Sequence, residues 1–284
     1  MHMIFFWGGK DMGQIVWITG ASSGLGLHTA EAVARAGFQV AAGARSFGAG
    51  KKEAKGCLCL PLDVTDEKSM DAFVAEALSQ VGPPDILINC AGMLILGACE
   101  SYSRAELKQV MDTNFLGMAG MIARVMPLMR ERGRGRIVNF SSINGLLGIP
   151  FQGAYVASKH AIEGYSECLA LEGKPFGIEV MVVEPGDHQS GSRAYRRISE
   201  GMQKASPYGK AFETGTAVIA HDEENGSDPA KLGERIAKAL KRKHLPRKLR
   251  IASLDQHFAV LLHDLLPPSL FAGIIASYYG KRKK

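Results

Sequence analysis

Residues 14–37 read QIVWITGASSGLGLHTAEAVARAG. An apolar, β-branched run, 14–20, breaks into a glycine-bearing turn. The turn opens onto an amphipathic segment, 25–36, that stops at Gly37. Glycine is a favoured helix stop because it accepts left-handed backbone without steric cost. Gly20, Gly24 and Gly26 share the turn, with Ser22, Ser23 and Leu25 between them. Such glycines let a backbone bend tightly and approach a pyrophosphate closely. The next helix then aims its N-terminal N–H groups and its dipole at the phosphates. The spacing is G-x-x-x-G-x-G, not the commoner G-x-G-x-x-G. Its position between a first apolar strand and a first helix is what marks it as a phosphate cradle.

Working outward, the runs 38–45, 57–64, 85–92, 135–142 and 178–186 are short and apolar almost throughout. Strands that do not alternate are covered on both faces, as in a parallel sheet. Helical patterns separate them: 66–80, with Thr65 as its N-cap, one or two helices in 103–131, and another in 153–172. This rhythm predicts an α/β fold with a doubly wound, Rossmann-like parallel sheet and right-handed crossovers. Residues 187–230 are polar and poorly periodic, and read as a substrate loop. DPAKLGERIAKALKRK reads as a helix capped by Asp228 with Pro229 in its first position. The final apolar stretch is broken at Pro267-Pro268. The expected organisation is a single domain: 12–230 as the Rossmann-like unit and 231–284 as a helical C-terminal extension packed on it. Residues 1–11 precede Met12 and are left out of this reading.

The chain has 284 residues, 46% hydrophobic and 22% charged, enough apolar material for a sizeable core. No apolar run approaches the ~20 residues of a membrane-spanning helix, and the opening residues lack the pattern of a secretory signal. Cys57, Cys59, Cys90, Cys99 and Cys168 are odd in number, form no C-x-x-C and sit in apolar surroundings. They read as buried free thiols in a cytoplasmic protein. No metal site and no nucleic-acid partner is expected. From Lys231 onward, thirteen Lys and Arg stand against Glu234, Asp255 and Asp264. This basic tail is read as a solvated element covering the substrate pocket or a subunit contact, in preference to a peripheral membrane anchor.

The ends of the strands carry the candidate chemistry. A carboxylate at the end of the second strand would accept from adenosine ribose hydroxyls and repel a 2′-phosphate. Ala44 stands there instead, followed by Arg45, whose guanidinium suits a phosphate. NADP(H) is therefore favoured, with NAD(H) still open. Asp63 and Val64 end the third strand, and Asp63 either meets the adenine amino group or caps the turn. Asn89, Ala91 and Gly92 end the fourth: the small residues leave room for a cofactor and Asn89 can tie strand ends together. Tyr155 and Lys159, four positions apart, share a helix face. An ammonium beside a phenol, with an oxidised nicotinamide, favours the phenolate and equips it to trade protons. Ser142, at a strand's C-terminal edge, can hydrogen-bond a substrate oxygen. Asn114 is a poor helix former inside a helix, and suggests a kink that opens a carbonyl to a water near Lys159.

TGASSGLG, NCAG, Asn114, Ser142, Y-x-x-x-K and EPG, in this order over about 14–190, resemble the short-chain dehydrogenase/reductase family. The resemblance implies a catalytic tetrad of Asn114, Ser142, Tyr155 and Lys159. It further implies that Lys159 binds the nicotinamide ribose, that Asn114 anchors a relay water, and that Pro185 and Gly186 border the nicotinamide. Ser190 stands where the family usually has a carboxamide-binding threonine, with the unusual His188 and Gln189 before it. The tail is similar to that of 17β-hydroxysteroid and retinol dehydrogenases. That subgroup implies NADP(H)-dependent interconversion of a hydrophobic secondary alcohol and its ketone, steroid- or retinoid-like. Leu94, Leu96, Leu146, Leu147, Ile149 and Phe151 are the candidate apolar pocket. A 3-oxoacyl thioester reductase and a non-catalytic NADP(H)-binding sensor are the alternatives. The resemblance also implies a homodimer or homotetramer formed through 103–131 and 153–172, with Met111, Phe115, Met118 and Met121 as candidate contacts.

Overall fold

The structure is a computed structural model that describes residues 13–48, 52–191, 196–202 and 206–280. In chain order the strands are β1 (Ile15–Thr19), β2 (Gln39–Ala44), β3 (Lys52–Ala54), β4 (Cys57–Pro61), β5 (Ile86–Asn89), β6 (Ile95–Leu96), β7 (Gly135–Phe140), β8 (Ile178–Pro185), β9 (Arg197–Ile198) and β10 (Lys248–Ile251). The helices are α1 (Gly24–Arg35), α2 (Glu67–Gln80), α3 (Arg104–Met111), α4 (Gly117–Glu131), α5 (Gly153–Gly173), α6 (Gly209–Glu224), α7 (Pro229–Leu240), α8 (Leu254–Leu265) and α9 (Pro268–Tyr279).

The central sheet runs β10-β8-β7-β5-β1-β2-β4-β3. All its pairings are parallel except β3 with β4. From β1 the chain winds one way through β2 and β4, then the other way through β5, β7 and β8. The order therefore reverses between β1 and β5, where ligands of open α/β sheets bind. A separate two-stranded ribbon joins β6 to β9.

Each strand serves both layers because side chains alternate across the sheet. In β1, Val16 and Ile18 enter one core, with Val33 of α1 and Leu232, Ile236 and Leu240 of α7. Trp17 enters the other, with Phe73, Met121, Val125 and Met129. Trp17 meets Phe73 edge-on at 5.8 Å between ring centroids. Burial on both faces is why these strands read as continuous apolar runs.

Several expectations are corrected in detail. The cap of α2 is Asp66, whose carboxylate accepts from the N–H groups of Lys68 and Ser69; Thr65 instead bonds Asp63. Residues 209–224 form α6, although only Gly215, Val218 and Ile219 of it are buried, too thin a stripe to be seen. β10 completes the sheet, and the boundary drawn at 230/231 falls inside α7. Cys99 and Cys168 are exposed, unlike Cys57 and Cys59. Met118 and Met121 lie in the core, while Phe115 packs edge-on against Tyr165 at 5.5 Å. Leu147 and Ile149 are buried beneath the C-terminal pair with Val260 and Phe271, and Leu96 is also fully inside.

Candidate active site

A cleft of about 770 Å³ opens along the C-terminal ends of the strands, over the β1/β5 reversal. Its floor is the glycine turn. Gly20 has φ +70°, and a Cβ there would stand 2.6 Å from the Ala91 Cα. A Cβ on Gly26 would stand 2.2 Å from the Gly20 carbonyl oxygen. Only glycine brings β1, α1 and the β5 end this close. Ser23 is the N-cap of α1 but makes no side-chain cap bond, and no acidic residue occupies the first turn. The helix therefore presents uncapped N–H donors and its positive pole to the cleft.

The cradle residues Gly20, Ser22, Ser23, Gly24, Leu25 and Gly26 all line this space. Arg45 lines it from an exposed position beside Ser46. Asp63 lines it too, with one carboxylate oxygen accepting from Thr65 N at 2.9 Å and Thr65 Oγ1 at 2.7 Å. Val64, Ala91, Gly92, Pro185, Gly186 and Ser190 complete the predicted wall. Asn89 does not reach the cleft. It is buried and donates to Asn139 Oδ1 at 2.9 Å, and Asn139 donates to Ser166 Oγ at 2.9 Å, so it ties strand ends together and is no part of the wall offered to a cofactor. Thr19, which opens the TGASSGLG turn, accepts from the N–H groups of Cys90 and Ala91 and fixes the β1/β5 gap.

Tyr155 and Lys159 face the cleft together from α5. Lys159 is 5% exposed, donates to the Phe140 carbonyl at 2.7 Å and stands 5.4 Å from the Tyr155 ring centroid. The acidification expected of this pair is not present in the protein by itself. Burial pushes the Tyr155 phenol up to about 12, the Ser142 hydroxyl pulls the other way, and the charges of Glu223, Cys90 and Asp187 add to the rise. Burial also pushes the Lys159 ammonium down to about 8. Desolvation disfavours the charged form of both groups and is the largest influence on each. Ser142 lines the cleft beside them, its hydroxyl 3.4 Å from the Pro185 carbonyl.

Asn114 sits where α3 and α4 join through a π turn, Asp112–Leu116, with Gly117 N–H reaching back to Asp112 O. The irregularity expected at this residue is there, but its side chain does not line the cleft. It accepts from Met93 N at 2.7 Å and donates to Met93 O and Ser158 Oγ, both at 2.9 Å. Ser158 Oγ donates in turn to the Tyr155 carbonyl at 2.7 Å. Asn114 is thus a positioning residue that braces the chain after β5 against the helix carrying Tyr155.

The outer end of the cleft is more polar than the sequence suggested. Of the six apolar candidates only Leu94 lines it. Asp187, Asp222, Glu223, Arg196 and Tyr279 line it instead. Burial pushes the Asp187 carboxyl up to about 7, with Asp222 and Glu223 adding to the rise and a Gln256 hydrogen bond opposing it. Glu223 pairs with Arg196. His188 is buried, with Nδ1 2.9 Å from Gly186 O, and burial lowers its pKa against the opposing pull of that hydrogen bond and Asp228. Asp187 and the α6 acids are 35 or more positions apart, with an unrecognised helix between, and no motif links them.

Residues 14–200 match the short chain dehydrogenase family. The chain belongs to this family. As a short-chain dehydrogenase it is an oxidoreductase acting on CH–OH groups with a nicotinamide cofactor and a small-molecule substrate. It is 39% identical over 272 residues to the 3-ketodihydrosphingosine reductase of Bacteroides thetaiotaomicron, covering 95% of this chain and 99% of that one. It is 39% identical over 185 residues to human retinol dehydrogenase 8, covering 61% of this chain and 58% of that protein. Among solved structures, a short-chain dehydrogenase from Streptomyces avermitilis superposes with TM-score 0.78 at 33% identity, covering 93% of this chain and 96% of that chain.

Proposed function

We propose that this short-chain dehydrogenase is an NADP(H)-dependent reductase of a long-chain 3-keto amine, a ketone of the 3-ketodihydrosphingosine class. The observation that carries the reading is the set of acidic residues, Asp187, Asp222 and Glu223, lining the cleft, two of which, Glu223 and Asp187, act electrostatically on Tyr155. A sphingoid ketone has an ammonium on the carbon next to its carbonyl. Carboxylates near Tyr155 can hold that cation while the ketone oxygen meets the phenol. The near full-length similarity to a 3-ketodihydrosphingosine reductase supports the same class. A steroid- or retinoid-like ketone is less well served by so polar an end.

In this reading the α1 N-terminus and Ser22–Gly26 hold the cofactor's pyrophosphate, and Arg45 holds a 2′-phosphate. The cofactor supplies hydride. Tyr155 gives its proton to the carbonyl oxygen. A phenol with a pKa near 12 is fully protonated at neutral pH, which suits a proton donor in the direction of reduction. Ser142 donates to the same oxygen and steadies its developing charge. Lys159 holds the nicotinamide ribose and, with its ammonium over the Tyr155 ring, eases proton return. Ser190 keeps a hydroxyl for the carboxamide. A homodimer or homotetramer built on α4 and α5 belongs to the same reading.

Two measurements bear on it. Arg45→Glu is expected to raise the KM for NADPH by roughly 30-fold and lower that for NADH, since a charge-assisted phosphate contact is worth about 2 kcal/mol. Equal KM values for NADPH in both proteins would remove NADP(H) from the reading. Asp222→Asn is expected to raise the KM for the keto amine about tenfold and leave the KM for its N-acetylated, uncharged analogue unchanged. A 3-oxoacyl thioester reductase is the rival, favoured by 35% identity over 195 residues to the ketoacyl reductase HetN of a Nostoc species. NADPH oxidation with a 3-oxoacyl thioester faster than with the keto amine would establish the rival.

A further inference from the structure

The outer surface of the C-terminal helices is apolar to a degree that the interior does not require. On α8, Leu254, Phe258, Leu261 and Leu265 are 90%, 58%, 51% and 70% exposed. Their spacing of four, three and four residues places all of them on one stripe of the helix. On α9, Leu270, Ile274 and Tyr278 follow one another at every fourth position and are 55%, 41% and 37% exposed. Between Pro268 and Tyr279 this helix carries no charged side chain, and only Phe271 of it is buried. A shallow groove runs along the exposed face, past Leu270, Gly273, Ile274 and Tyr278. Exposed apolar stripes on two successive, touching helices mark an interaction site.

We infer that this face docks on an anionic lipid bilayer, lying in the interface with the mouth of the cleft beside it. Three observations select a bilayer as the occupant. First, in the sequence four cations, Lys281-Arg282-Lys283-Lys284, come one residue after α9, against Asp255 and Asp264 as the acids of α8 and none on α9. Each juxtamembrane cation is worth about 1 kcal/mol near an anionic surface. In a twofold contact the same net positive patch would meet itself. Second, no described helix is long and apolar enough to cross a membrane, so the stripe can lie on a bilayer but not span it. Third, the helices that carry the face also border the cleft. Tyr279 of α9 lines it, and Gln256 of α8 donates to Asp187 inside it. A sparingly soluble substrate would then pass from lipid to cleft without crossing water. The docking itself does not depend on which ketone is reduced.

The test is co-sedimentation of the full chain with phosphatidylcholine vesicles, with and without phosphatidylglycerol. The wild type is expected to sediment with the anionic vesicles, much less with neutral ones, and to be released by high salt. The double variant Leu261→Asp/Leu265→Asp is expected to lose binding at least roughly tenfold, because two inserted leucines become two charges. Ile274→Asp, on the other helix, is expected to do the same. Melting temperature and NADPH oxidation with a short water-soluble ketone report whether each variant is folded, and neither is expected to change. Wild-type protein that stays in the supernatant with anionic vesicles overturns the inference. So does a dimer in light scattering that both variants split while vesicle binding is unaffected, which would assign the face to a second copy. A reductase that binds anionic vesicles yet ignores the keto amine would sink the substrate reading and leave the docking intact.

Discussion

Replacing Tyr155 with phenylalanine is expected to lower kcat by about 1,000-fold, with NADPH affinity and melting temperature close to wild type. Positioned proton donors contribute typically 100- to 10,000-fold, so the loss of one hydroxyl carries nearly all the effect. The ring itself remains to support the Lys159 ammonium, 5.4 Å from its centroid, and Lys159 keeps its bond to Phe140 O. The neighbouring Ser142 hydroxyl still has the Pro185 carbonyl. The variant therefore removes a proton and little else. Stopped-flow oxidation of bound NADPH by the keto amine, with cofactor binding followed by fluorescence, separates the chemical step from binding. Turnover within tenfold of wild type would mean that another group delivers the proton.

Asn114→Ala is expected to destabilise the protein by about 3 kcal/mol and to lower its melting temperature by roughly 5 °C. The side chain is wholly buried, and its removal leaves Met93 N and Met93 O without their partner, while Ser158 Oγ keeps only its bond to the Tyr155 carbonyl. Each buried polar group so stranded costs about 1–3 kcal/mol, and partial relaxation of the π turn keeps the total below the simple sum. Activity is expected to fall as well, through kcat more than through the KM for NADPH, because Ser158 connects Asn114 to the Tyr155 backbone. Asn114→Asp can still accept from Met93 N but cannot donate to Met93 O, so it should recover only part of the loss. A melting curve for Asn114→Ala that overlays the wild type would show that the π turn needs no brace.

What could be read from the residues was whatever rests on local pattern. The turn at Gly20–Gly26 announced itself because three glycines in seven positions have few other uses between a strand and a helix. Tyr155 and Lys159 were legible because four residues is one helical turn, and Asp228-Pro229 because capping chemistry is local. β10 was not, since KLRI carries two cations. Its Lys248 pairs with Glu163 at 3.2 Å, and its Arg250 with Glu184 at 2.6 Å, on a strand that a hydrophobicity rule passes over. The acidic end of the cleft was hidden because Asp187 and the α6 acids meet only through the tertiary fold. The burial of Tyr155 was hidden for a related reason. Spacing reveals a neighbouring charge, but burial is a property of the whole assembly, and here burial prevails.

The pairing of β10 with β8 has a consequence for how the chain comes to be folded. Arg250 meets Glu184 across 66 positions of sequence. While the protein is being made, the outer flank of β8 therefore waits with unpaired amide and carbonyl groups until that distant segment has left the ribosome. A nascent chain halted in between presents an open, strongly apolar margin, the kind that recruits other strands from other chains. Because its completing strand arrives so late, this sheet is one whose newborn form needs shelter more than its finished form does.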